Sequence, residues 1–85
     1  MDTHRGSHMP QTQNEWTLLA KRSLKAELVK RDISYAQLTE LLGRLGVRET
    51  PENVTNKVNR GTFSAAFMLV CLKAINCKVL RVTDD

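Results

Sequence analysis

The sequence predicts an all-α domain of four helices, and three observations carry that prediction. Four polar residues fitted to start a helix (Asn14, Ser34, Thr50 and Ser64) each precede apolar residues spaced three or four apart. Glycine follows two of those segments, at Gly46 and Gly61, where a helix would end. Alternation of the kind that marks a strand occurs only in "CKVLRV", close to the C-terminus.

The chain has 85 residues, enough for one small core. Its opening "MDTHRGSHM" reads as the scar of a cleavable purification tag, so residues 1–8, with both histidines, are set aside. Dropping Arg5 and Asp2 together leaves the net charge at +4, a moderate basic excess that favours polyanions. Residues 9–14 form a polar lead-in, residues 15–76 the folded domain, and residues 77–85 a tail.

The first helix is expected from Asn14 to about Arg31. Trp16, Ala20, Leu24 and Leu28 recur on one side, and Lys21, Arg22, Lys25, Lys30 and Arg31 lie between them on a face that water alone could explain. The second starts at Ser34, with Gln37 three residues on and Ile33 and Leu38 placed as a hydrophobic staple. Leu38, Leu41, Leu42 and Leu45 form its apolar stripe, and Gly46 closes it.

Thr50, Pro51 and Glu52 give the third helix a cap, a first-turn proline and a first-turn acid. Val54 and Val58 are its only aliphatic residues, so it can bury only a narrow stripe. The fourth helix, "AAFMLVCLKAI" after Ser64, is apolar nearly all round, and a partner subunit is one way to cover it. The tail alternates enough for a short strand, which would pair with its copy in a second chain or else lie loosely against the helices.

This order of elements resembles the lambda-repressor-like helix-turn-helix superfamily over roughly residues 22–76, with "ISYAQLTELLG" as its second helix and the helix before "RG" as its recognition helix. Strings such as "LKAEL" and "NRGTFSAAF", with the "W" to "AKR" lead-in, more specifically resemble a small bacterial family of uncharacterised domains. The stretch from Ser34 to Gly61 is about six positions longer than the compact repressor unit with its short turn. The arginine that many repressor-like domains carry late in helix one is replaced by Leu28.

What the resemblance implies is a regulator that reads double-stranded DNA. The residues of the third helix suit that task independently. Asn53 and Asn56 present amides able to pair bidentately with adenine, and so does Asn59. Lys57 and Arg60 can reach guanine or phosphate. Positions 53, 56 and 60 share a face that Lys57 borders. Thr55, together with Arg48 in the preceding turn and Ser34, Tyr35 and Gln37 at the second helix start, are candidate backbone contacts. Each has a plainer use: Tyr35 in packing, Asn59 in a local cap, Arg60 beside a helix C-terminus.

A homodimer is expected through the fourth helix and tail, with Phe67, Val70, Cys71, Val79 and Leu80 at the interface. The competing reading is a protein-interaction module that keeps the scaffold without binding DNA. Catalysis is not expected, because outside the tag the chain has no histidine and no clustered nucleophile and base. Cys71 and Cys77 lack metal-ligand spacing, so no metal, cofactor or small-molecule ligand is expected. No apolar run approaches membrane-spanning length, and a cytoplasmic location is expected.

Overall fold

The computed structural model describes residues 12–82, which form four helices: α1 (Gln13–Lys30), α2 (Tyr35–Arg44), α3 (Pro51–Arg60) and α4 (Ala65–Ala74). The tag residues 1–8 and the first part of the lead-in lie outside the described residues.

One device starts all four. The side-chain oxygens of Thr12, Ser34, Thr50 and Ser64 accept the backbone N–H three residues on, from Glu15, Gln37, Asn53 and Phe67. In α1 and α2 the third residue returns the bond, with Glu15 and Gln37 accepting from the cap N–H at 3.2 and 2.8 Å. Thr12 therefore replaces the expected Asn14 as first cap, and Asn14 lies within the helix. A Thr-x-x-Glu box meets two orphan donors, where Asn14 could have met one.

Three of the four ends share a second device. Asp32, Gly46 and Asn76 adopt left-handed backbone, and the next residue bonds back across the turn: Ile33 to Leu28 O, Val47 to Leu42 O, Cys77 to Leu72 O, all between 2.8 and 3.0 Å. This is the Schellman arrangement, which occupies carbonyls the helix leaves open. Helix α3 ends instead at Gly61 (φ +73°), which makes a closer approach than any other glycine described. A Cβ there would stand 2.6 Å from Thr17 O and 2.9 Å from Thr17 Cγ2, so α1 runs directly against the end of α3.

The core joins all four helices. Leu24 and Leu28 of α1, Leu38 and Leu42 of α2, Val54 and Val58 of α3, and Phe67 and Cys71 of α4 are buried together with Ile75. Helix α3 packs on both α2 and α1, and α4 packs on α2. Beyond Asn76 the described residues form no strand; Cys77 instead holds the chain back, its Sγ donating to Val79 O at 3.3 Å and to Glu27 Oε1 at 3.7 Å. A lone strand has no ladder partner in this chain, which is why alternation alone did not make one.

Glu27 is the one buried charged residue described. Arg31 binds its Oε1 directly and Lys30 stands 3.5 Å from Oε2. Hydrogen bonding from Arg31 outweighs partial desolvation and holds this carboxyl below its ordinary pKa.

Candidate nucleic-acid interface

Helix α3 spends its two valines on the core and turns the rest outward. Val54 and Val58 are fully buried, whereas Glu52, Asn53, Asn56, Asn59 and Arg60 are exposed. Asn53, Asn56 and Arg60 project from one face, and among the described residues no side chain pairs with them. Arg48 is exposed in the connection ahead of the helix and is likewise unpaired.

Lys57 departs from its expected role. Its ammonium lies 2.5 Å from Glu49 Oε2 and 5.2 Å from the centre of the Phe67 ring. The cation is thus neutralised by a carboxylate and held over an aromatic face, which ties the connection before α3 to α4. Its charge is already spent within the chain.

The other expected backbone contacts divide in the same way. The Thr55 hydroxyl donates to Pro51 O at 2.8 Å, an internal bond of the helix. Ser34 and Gln37 are exposed but occupied by their reciprocal capping bonds, and Tyr35 is half-buried against the core. Of nine residues expected at a DNA surface, Asn53, Asn56, Arg60 and Arg48 have polar groups wholly available to a ligand.

Geometry also adds residues that the sequence did not single out as a unit. Lys25 Nζ donates to Asn59 Oδ1 at 3.1 Å, joining the cationic side of α1 to the outward side of α3. Lys21 lies against Gly61 at the same junction. The cations of α1 were readable as a face, but nothing in their spacing revealed that α3 ends beside them. A shallow concavity of about 300 Å³ adjoins the opposite edge of α3, lined by Lys57, Arg60, Thr62, Phe63, Ser64 and Phe67.

The expected dimer residues require a correction. Cys71 is fully buried and Phe67 nearly so within a single chain, and Val70 packs half-buried against the same core. Helix α4 finds cover on this side from α2 and the Lys57 ammonium, so Phe67 and Cys71 are not free to face a second copy, whereas Leu69 of the same helix is 67% exposed. Val79 is exposed, and Leu80 lines a small apolar groove with Trp16, Leu19, Met68 and Val82. Burial pushes the Cys71 thiol up to about 12, which keeps it protonated and inert, and Cys77 is also a free thiol.

No group of histidine, cysteine or acidic residues suited to a metal ion occurs among the described residues, and no described helix is long and apolar enough to cross a membrane. The chain belongs to a family defined by a domain of unknown function, DUF6471, which matches residues 16–80. No curated protein and no solved structure matches it significantly.

Proposed function

We propose that the domain is a DNA-binding transcriptional regulator of helix-turn-helix type that reads duplex DNA with α3. One observation carries this reading. Two valines account for the burial of α3, which leaves Asn53, Asn56 and Arg60 unpaired on one face that continues through the Lys25–Asn59 bond into the cations of α1. Amides supply base-edge recognition, and Arg60, Lys21 and Lys25 supply the phosphate attraction that positions them. Glu52 opposes phosphate at the start of α3, so docking favours the C-terminal half of the helix.

A homodimer suits this reading, since it would set two copies of α3 roughly one DNA turn, about 34 Å, apart on a palindromic site. Sedimentation equilibrium with and without duplex tests that assembly. Affinity for a panel of duplexes, measured across salt concentrations, tests the function itself. The expected result is a preferred sequence together with a steep salt dependence. Affinity indifferent to both sequence and salt sinks the proposal.

The Glu49–Lys57 pair favours a second reading, in which the scaffold serves a protein partner instead. It removes from α3 a cation that DNA binding would use. Replacing Arg60 by glutamate and Asn56 by alanine, both on α3 alone, separates the two. Loss of duplex binding with an unchanged fold supports the first reading, and a protein contact that survives the replacements while no duplex binds supports the second.

A further inference from the structure

Helix α1 is the longest in the domain, and its inner side accounts for Leu24 and Leu28. Its outer side carries a second apolar line. Leu18, Ala26 and Val29 floor an open trough, and Val29 is 79% exposed. With Arg22 between them they occupy positions at steps of three and four residues, a stripe about 16 Å long at 1.5 Å per residue. Lys21, Arg22, Lys25 and Lys30 line the same trough, and no acid does; Lys30 is paired with Glu27 beside it, which leaves three of the cations without a carboxylate. Among the described residues Lys21 and Arg22 meet no carboxylate, and Glu15, one turn above Leu18, is engaged with Thr12.

Charge complementarity selects the occupant. A second copy docked face to face would set these four cations against one another. A lipid surface needs a broader apolar face than one leucine, one alanine and one valine. DNA phosphates would satisfy the cations but would lie against Leu18 and Val29, where apolar burial contributes nothing. We propose that the open face of α1 docks an acidic amphipathic helix of a partner protein, its apolar stripe on Leu18, Ala26 and Val29 and its carboxylates on the flanking cations.

This docking stands independently of the DNA reading. The two meet at Lys21 and Lys25, which serve both surfaces: a helix seated on α1 competes with a duplex on α3.

The test uses the full chain, isotopically labelled, and three probes. The first is a synthetic peptide of about four helical turns with leucine at stripe positions and glutamate beside them. The second has the same composition in scrambled order, and the third is a short DNA duplex. The amphipathic peptide is expected to bind at least about tenfold tighter than the scrambled one, with amide shifts centred on Leu18, Arg22 and Val29. Val29→Ser combined with Leu18→Ser, both at exposed positions, should erase that difference. Equal binding of the two peptides, shifts centred elsewhere, or a duplex that perturbs Leu18 and Val29 more than the peptide does would each overturn the proposal.

Discussion

Helices α2 and α3 have ten residues each, begin on a hydroxyl cap, and are followed by a left-handed glycine. They are nevertheless held in different ways. Helix α2 is fixed through side chains: Leu38 and Leu42 are fully buried, Leu41 packs beside them, and Gly46 has open space around it. Helix α3 is fixed by two smaller side chains, by the Lys57–Glu49 pair, and by the close seat of its C-cap Gly61 against Thr17. A helix anchored through so little side-chain surface keeps the rest of its surface free for recognition.

Four substitutions sharpen or break this contrast. Leu42→Ala should have the largest effect, about 3 kcal/mol of stability lost in urea unfolding, because it empties a fully buried site on the side-chain-held helix. Gly61→Ala should follow at about 2 kcal/mol, combining left-handed strain with a clash against backbone that cannot swing aside. Gly46→Ala carries the strain alone and should cost about 1 kcal/mol. Equal costs at the two glycines, read from the same unfolding curves, would show that the contact of Gly61 with α1 is soft. Asn56→Ala should change stability least, by less than about 0.5 kcal/mol, yet weaken binding to the preferred duplex by about 1 to 3 kcal/mol in a fluorescence titration.

The same contrast explains what could be read in advance. Thr50, Pro51 and Gly61 gave α3 its boundaries because local chemistry alone decides a cap, a first-turn proline and a left-handed stop. Ser34 and Gly46 did the same for α2. Thr12 was missed because it lies in a polar, proline-bearing lead-in, although Glu15 completes its box. The burial of Phe67 and Cys71 was misread for another reason: periodicity says that α4 needs cover but not that α2 and the Lys57 ammonium supply it on this side.

The candidate site divides along the same line. That Asn53, Asn56 and Arg60 point outward follows from Val54 and Val58 pointing inward, which is arithmetic on a helix. That Lys57 is neutralised depends on Glu49, eight residues away in a connection with no regular pattern. The Lys25–Asn59 bond spans 34 positions and depends wholly on how α1 crosses the end of α3. Contacts between elements are set by packing, and no local signal encodes them.

The contact of Gly61 with Thr17 has a practical consequence for protein engineering. Because Val54, Val58, Lys57 and the close seat of Gly61 hold α3 from its inner side and its end, the helix behaves as an interchangeable cassette. Glu52, Asn53, Asn56 and Arg60 can be randomised together in a selection library while Val54, Lys57, Val58, Asn59 and Gly61 stay constant. The pitch and reach of the displayed surface would then be the same in every clone.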